Sequence, residues 1–187
     1  MSVPRKVIFI DMDGVLLPFP NSTPLPPGKL FPTSTLKPLA RLWKHVENSN
    51  KRNQTNNNAV EWVLSSTWRV QERYIRDIEE ALQEFGIPLT FSAITDPNNH
   101  TERQWEIQEW WNQQQQLNHD NRNRHLSQSC VWLALDDEEL LEGEKNEKYQ
   151  SLFQGHVVKP ASHVGLSEQD VDLAIRLWDS QLAALTS

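Results

Sequence analysis

Cysteine is nearly absent from this 187-residue chain, which contains only Cys130. A single cysteine cannot form an internal disulfide, so we predict neither a disulfide nor a disulfide-linked partner. Cys130 opens the apolar run CVWLAL, where a small thiol is expected in the core. Long apolar runs are also missing: none approaches the roughly 20 residues that a membrane-spanning helix needs, and no secretory segment precedes the first predicted strand. We therefore expect a soluble, cytoplasmic protein with no membrane partner.

Basic residues are outnumbered, since 18 Lys and Arg residues stand against 25 Asp and Glu residues and give a net charge of −7. This balance disfavours broad binding to a nucleic-acid backbone. The six histidines lack the spacing of metal ligands, which disfavours a histidine-based metal site. By contrast, the hydrophobic content of 37% and the eight tryptophans indicate a globular fold. The length suits one domain, and we predict that residues 1–187 form it.

The most informative segment is VIFIDMDGVLL, residues 7–17. Its β-branched and aromatic residues predict a buried strand that ends at Asp11 and Asp13 and turns at Gly14. Two acids at the exit of a buried strand are unfavourable unless they are paired or bind a cation. Because ligands collect outside the carboxyl ends of parallel strands, the pattern predicts a metal site. A calcium loop is excluded, because residues 15–18 supply no further oxygen side chains, whereas a turn whose aspartates cap a helix stays open.

Strand-like and helix-like segments alternate along the chain. The predicted strands are 7–10, 60–64, 89–94, 131–135 and, more weakly, 156–158. The predicted helices are one capped by Thr35 with Pro38 in its first turn, one carrying Ile75, Ile78, Leu82 and Phe85 and ending at Gly86, one over 102–117, and one capped by Ser167. This alternation predicts an α/β fold with a parallel sheet.

Three polar segments separate these elements and are predicted to be loops: a Pro-rich one at about 17–32, an Asn-rich one at about 48–58 and a Gln/Asn-rich one at about 112–128. In the last helix, apolar residues at helical spacing are expected to face inward, namely Val171, Ile175, Trp178, Leu182 and Leu185. The spacing of Ser167 and Asp170 predicts a capping interaction at the start of that helix.

Further polar residues follow the later strands. Ser65 and Ser66 come directly after the second strand, Arg103 lies at the start of the third helix, and Asp136 and Asp137 follow the fourth strand. In this order the groups resemble the motifs of the haloacid dehalogenase (HAD) superfamily. The elements VLSSTWR, RQWEIQEWW, VWLALDDEEL and VGLSEQDV more closely resemble the HAD-type domain of Swiss Army Knife RNA repair proteins. The likeness spans most of the chain.

This resemblance implies a three-layer Rossmann-like HAD fold, with a central parallel sheet of about five strands and helices on both faces. We expect no cap domain, because the interval from Asp13 to Thr35 holds only the Pro-rich loop and that from Ser65 to Arg103 is filled by one helix and one strand. The resemblance also implies a Mg²⁺-dependent phosphatase that hydrolyses a phosphomonoester through an aspartyl-phosphate intermediate. Asp11 would be the nucleophile and Asp13 the general acid and base. Ser65, Ser66 and Arg103 would bind the phosphoryl group. The implied metal ligands are Asp11, Asp13 through its carbonyl oxygen, Asp136 and Asp137.

Structural roles compete with these functional ones. Ser66 could cap the following helix, and Arg103 could pair only with a neighbouring glutamate of its own helix. The acidic pair after the fourth strand could be a solvated turn. Trp68 is expected to pack in the core, and Arg69 to make a substrate or structural contact.

HAD enzymes without a cap have open sites and often act on large substrates, so the phosphorylated substrate stays unidentified from the sequence. One alternative is a phosphatase that processes nucleic-acid ends together with a repair partner, which the resemblance favours and the net charge disfavours. Another alternative is a non-catalytic binding module that keeps the HAD fold.

Overall fold

The computed structural model describes residues 4–19, 25, 28–52, 59–96, 102–119, 130–143 and 146–185. Five parallel strands form one sheet in the order β3-β2-β1-β4-β5. They are β1 (Arg5–Ile10), β2 (Glu61–Leu64), β3 (Phe91–Ile94), β4 (Cys130–Leu135) and β5 (Val157–Val158). The helices are α1 (Thr33–Arg52), α2 (Glu72–Glu84), α3 (Arg103–His119), α4 (Glu147–Phe153) and α5 (Glu168–Ala184), and a 3₁₀ helix covers Thr67–Val70. The predicted α/β fold is confirmed.

The sheet is covered on both faces, which explains why its inner strands are apolar along most of their length, as in the VIFI segment of β1 and in β4. Along β1, Ile8 and Ile10 point to one face while Val7 and Phe9 point to the other, and all four are buried. The first face packs against residues of α1, α2 and α5, among them Leu39, Ile78 and Trp178. The second face packs against residues of α3 and α4, among them Trp110 and Phe153. This arrangement gives the three predicted layers.

Helix α1 begins earlier than predicted, at Thr33, and Pro38 lies inside the helix and not in its first turn. Thr35 is therefore a helical residue and not the residue before the helix. Its hydroxyl donates to the carbonyl oxygens of Leu16 (2.8 Å) and Pro32 (3.1 Å). Because Leu16 lies in the loop that follows β1, the Thr35 hydroxyl links α1 to a distant segment of the chain. The local sequence does not encode this contact, which is why the start of the helix was predicted wrongly.

Two predicted loops begin later than expected. Helix α1 extends to Arg52 and α3 extends to His119, so residues 48–52 and 112–119 are helical. Their asparagines and glutamines are compatible with helix when one face of the helix packs on the sheet. The remainders of these loops, 53–58 and 120–128, lie outside the described residues, as do 20–24 and 26–27 of the Pro-rich segment.

Other boundaries differ in smaller ways. β3 begins at Phe91 because the Leu89 N–H bonds to the Ile87 carbonyl oxygen (2.7 Å) in a turn. The short helix α4 was not predicted; its two buried aromatic residues attach it to the sheet. Leu185 is exposed, contrary to the prediction, since α5 ends at Ala184.

The predicted helix ends of α2 and α5 are confirmed. Gly86 adopts a φ of 90°, and the Ile87 N–H bonds back to the Leu82 carbonyl oxygen (2.9 Å) as in a C-terminal cap. Ser167 and Asp170 form the reciprocal capping box at the start of α5. Within the described part of the chain, no helix is both long and apolar enough to cross a membrane.

Candidate active site

The polar residues after four strands lie side by side because the hydrogen-bond ladder continues one residue beyond each strand. The N–H groups of Asp11, Ser65, Thr95 and Asp136 each donate to the carbonyl oxygen of the last residue of a neighbouring strand, at 3.0 to 3.2 Å. In a parallel sheet this register brings all four residues to the same edge. Residues that lie 125 positions apart in the sequence therefore become neighbours.

Three carboxylates meet at this edge. One oxygen each of Asp11, Asp136 and Asp137 lies within 4.8 Å of the other two. Asp11 and Asp136 are buried, while Asp137 is partly exposed. Gly14 makes room for the third acid, because a Cβ at this position would overlap the Asp137 carboxylate. Its φ of 69° is a second reason for glycine at this turn.

Arg103, the first residue of α3, contacts two of these acids. Its Nη2 lies 3.3 Å from Asp11 Oδ2, and its Nε lies 2.7 Å from Asp136 Oδ2. Nη1 donates to Glu106 Oε2 at 3.1 Å. Arg103 Nε and Asp136 Oδ2 form an ion pair, but the N–H does not point at the oxygen well enough for a hydrogen bond. Among the described residues, both atoms are therefore buried without a hydrogen bond. Arg103 thus joins the acidic cluster and also pairs with the glutamate one turn away.

Glu106 links this arginine to a second one. Its Oε1 lies 3.0 Å from Arg69 Nη2, and its Oε2 accepts a bond from the Thr95 hydroxyl at 3.3 Å. Arg69 Nη1 donates to the Ser65 carbonyl oxygen at 2.9 Å. Both side chains of the Arg69–Glu106 pair are buried. The contacts of Arg69 therefore match the structural role, which was one of the two roles predicted for it.

The Asp13 carboxylate is held by a different element. Trp68, in the 3₁₀ helix, donates its indole N–H to Asp13 Oδ2 at 2.9 Å. The expectation that Trp68 only packs in the core was therefore incomplete. Asp13 does not belong to the group of carboxylates that approach within 4.8 Å, which leaves its carbonyl oxygen as the atom predicted to contact a metal.

The two serines after β2 have different surroundings. Ser65 is buried next to Asp11 in the ladder. Ser66 precedes the 3₁₀ helix, and its hydroxyl oxygen accepts the Trp68 N–H at 3.4 Å. Ser66 therefore has the capping role that competed with phosphate binding, although its hydroxyl hydrogen is not used by that cap.

Burial dominates the electrostatics of the acids. It raises the pKa of Asp136 to about 7, despite the opposing effect of Arg103. Burial, followed by the charge of Asp11, also raises the pKa of Asp137. For Asp13, burial raises the pKa against the Trp68 hydrogen bond. The site therefore disfavours its own negative charges until a cation is present.

The pKa values of Arg103 and Arg69 are shifted in opposite directions. Burial works against the charge of Arg103, but Asp136, Asp11 and Glu106 together outweigh it and raise the pKa. Burial lowers the pKa of Arg69, although Glu106 opposes this. The acidic cluster thus surrounds Arg103 more closely than it does Arg69.

The sequence did not reveal three features of the site. Gly14 leaves the space that the Asp137 carboxylate occupies, Thr95 donates to Glu106, and Glu106 bridges Arg69 and Arg103. Thr95 directly follows β3, as Ser65 follows β2, so its position in the sequence was a usable signal. For Glu106, the spacing Arg-x-x-Glu on a helix indicated a pair with Arg103 but not the second pair with Arg69.

A family model described as the HAD domain in Swiss Army Knife RNA repair proteins matches residues 7–171. The chain belongs to this family. No curated protein and no solved structure is significantly similar to it. The match begins at Val7 in β1 and ends at Val171 in α5, so it covers the last four residues of β1, all of the other strands and all the acids of the cluster.

The residues of this HAD domain fit a divalent metal ion. The three clustered aspartates and Glu106 are joined through two guanidinium groups, which leaves an excess of two negative charges when all are ionised; they are Asp11, Asp136, Asp137 and Glu106 against Arg69 and Arg103. The Asp136 Oδ2 atom is buried without a hydrogen bond among the described residues. Hard oxygen ligands and a twofold negative excess suit Mg²⁺.

Proposed function

We propose that this HAD domain is a Mg²⁺-dependent phosphatase that hydrolyses a phosphomonoester through an aspartyl-phosphate on Asp11. The observation that carries the proposal is the placement of Asp11, at the end of β1, among Asp136, Asp137 and Arg103. A buried carboxylate in a polar, preorganised environment can attack phosphorus without first shedding a water shell. Membership in a HAD family supports the same chemistry.

The reaction would proceed in two steps. In the first, a carboxylate oxygen of Asp11 forms a bond to phosphorus while the bond to the leaving oxygen breaks, and Asp13 gives its proton to that oxygen. In the second, Asp13 takes a proton from a water molecule as the water attacks phosphorus. Inorganic phosphate leaves and the Asp11 carboxylate is restored.

The remaining residues would hold the phosphoryl group and the metal. Arg103 presents a planar guanidinium beside Asp11, which suits phosphoryl oxygens. Ser65 would donate a hydrogen bond from the neighbouring strand end, with Ser66 as a further donor. Asp11, Asp136 and Asp137, with the Asp13 carbonyl oxygen, would hold Mg²⁺. When bound, Mg²⁺ would offset the charge of the cluster and of the phosphoryl oxygens.

The experiment is a screen of phosphomonoesters with purified protein, in Mg²⁺ and in EDTA, using wild type and Asp11→Asn. We expect phosphate release that requires Mg²⁺ and that falls at least about 100-fold in Asp11→Asn, because the amide has nearly the same shape but is a poor nucleophile. Glu109→Gln, a half-buried position on α3, serves as a control that should retain activity. Activity that persists in Asp11→Asn would contradict the assignment of the nucleophile, and release of nothing from the panel would favour a binding module.

A second candidate substrate class is nucleic-acid ends. The family to which the chain belongs is described from RNA repair proteins, which favours it. End-phosphorylated oligonucleotides, free nucleotides and phosphopeptides should be compared at equal concentration. A preference of kcat/KM for oligonucleotide ends, reduced at high salt, is the expected result for this candidate.

A further inference from the structure

The Asp13 carboxylate and the Trp68 indole form a contact that the proposed chemistry does not yet use. We propose that Trp68 is a positioning residue for proton transfer: it holds Asp13 by Oδ2, so that Oδ1 carries the proton to and from the reacting oxygen. This inference rests on the proposed function. It begins from the 2.9 Å hydrogen bond between Trp68 Nε1 and Asp13 Oδ2.

The chemistry of the indole determines which oxygen carries the proton. An indole N–H can only donate a hydrogen bond and never accept one. The carbonyl oxygen of a protonated carboxyl accepts a hydrogen bond better than its hydroxyl oxygen does, so the indole favours Oδ2 as the carbonyl oxygen and the proton on Oδ1. After the proton moves to the leaving oxygen, the new negative charge of Asp13 is shared with an N–H donor already in place. Hydrogen bonds to a charged acceptor are the stronger kind, so this contact favours the product of the transfer.

The indole is fixed from several sides. Its ring contacts the rings of Phe31 and Tyr74, whose centroids lie 6.3 and 5.9 Å from the Trp68 centroid. Ser66 caps the 3₁₀ helix through the Trp68 backbone N–H. The next residue, Arg69, is buried in its pair with Glu106. A donor held in this way constrains the Asp13 side chain instead of following its motion.

The Asp13 backbone has separate support. It pairs with Leu17 in an isolated bridge, and the Gly14 N–H donates to the Leu17 carbonyl oxygen at 2.8 Å. Loss of the indole N–H should therefore release the side chain of Asp13 while the turn that contains it stays in place. This separation allows a positioning role to be distinguished from a merely structural one.

The experiment measures kcat/KM of Trp68→Phe on p-nitrophenyl phosphate and on benzyl phosphate, in Mg²⁺. Proton delivery matters for the alkoxide that leaves from benzyl phosphate and little for p-nitrophenolate. We expect a loss of about 10-fold or more on benzyl phosphate and of less than about 2-fold on p-nitrophenyl phosphate, since general acid catalysis contributes about 100-fold or more. Equal losses on both substrates, or no loss on either, would overturn the proposal.

Trp178→Phe is the matched control. Trp178 is fully buried in α5, and its indole N–H has no hydrogen-bond partner in the described part of the chain. This variant removes the same atoms from the protein and should change the two kcat/KM values by the same factor. Replacement of Trp68 by benzothienylalanine, which keeps the ring and exchanges N–H for sulfur, should reproduce the selective loss without a change in packing.

A spectroscopic readout separates this inference from the proposed function. The indole ¹H–¹⁵N resonance of Trp68, assigned by its loss in Trp68→Phe, should shift in Asp13→Ala and stay in place in Trp178→Phe. An unshifted resonance would overturn the hydrogen bond and with it the positioning role. If the resonance shifts but wild type releases phosphate from no substrate, the proposed function fails and the contact has no catalytic role.

Discussion

Single residues of the acidic cluster carry charge that the surrounding protein does not fully neutralise. Asp136 and Asp137 both have raised pKa values, with burial as the largest cause. A carboxyl whose pKa is higher in the folded than in the unfolded state loses stabilising free energy as the pH rises through the folded pKa. Near neutral pH and without metal, these acids therefore destabilise the fold, and a bound cation would reverse their effect.

Neutralising Asp136 or Asp137 should stabilise the metal-free protein and should reduce the further stabilisation that Mg²⁺ gives. In EDTA at neutral pH, we expect Asp137→Asn to raise the free energy of unfolding, and Asp136→Asn to raise it less because Arg103 loses an ionic partner. In Mg²⁺ at 100 times its dissociation constant, wild type should gain about 2.7 kcal/mol and both variants less. Urea unfolding under the two conditions measures this. Variants that gain as much from Mg²⁺ as wild type would indicate that the metal binds elsewhere.

At the scale of secondary-structure elements, the 3₁₀ helix and α3 are joined beneath the site by the pair of Arg69 and Glu106. Glu106 also holds Arg103 at the start of α3. A single buried carboxylate thus fixes the distance between the element that carries Trp68 and the one that carries Arg103. Its removal would leave two buried guanidinium groups with one acceptor fewer.

We expect Glu106→Gln to lower the free energy of unfolding by about 3 kcal/mol, because breaking a buried ion pair leaves uncompensated charge. Urea denaturation at neutral pH is the measurement. Glu109→Gln on the same helix is the matched control and should change the stability by less than about 0.5 kcal/mol. Equal effects of the two substitutions would mean that the bridge does not stabilise the fold.

The strands and helices could be predicted from the sequence where a local pattern of apolar residues determines them. The order of strands and helices follows from apolar periodicity, and the edge at which Asp11 and Asp136 meet follows from parallel pairing. The contact of Trp68 with Asp13 could not be predicted, because it depends on how a short 3₁₀ helix is placed after β2. The start of α1 was wrong since the Thr35 hydroxyl bonds to Leu16, a contact between segments that local sequence does not encode.

At the scale of the whole molecule, the second apolar face contains a histidine. His156 stacks on Trp132 with ring centroids 4.3 Å apart, and its Nδ1 lies 3.0 Å from the Trp132 carbonyl oxygen. Burial lowers the pKa of His156. The unfolded chain therefore binds a proton at this residue more readily than the folded protein does, and stability is lost as the pH falls below the pKa of the unfolded state.

We expect the free energy of unfolding of wild type to fall more steeply than that of His156→Gln between pH 7 and about pH 5.5, a range that spans the ordinary histidine pKa of about 6.5. Urea titrations of both proteins at several pH values measure the difference, in which the common contribution of the carboxylates cancels. His45→Gln is a control at a partly exposed histidine paired with Asp179. Parallel curves for wild type and His156→Gln would contradict the effect.

The position of β4 inside the sheet, between β1 and β5, has a consequence for biosynthesis. A nascent chain that has left the ribosome only through α3 already holds Asp11 and Asp13, but not the acids that would complete the cluster. The turn after β1 also depends on a segment that is translated later, because the Leu166 N–H donates to the Val15 carbonyl oxygen at 2.7 Å. The acidic cluster can thus assemble only after the segment through Asp137 has been translated, and the turn that carries its first member gains the Leu166 contact later still.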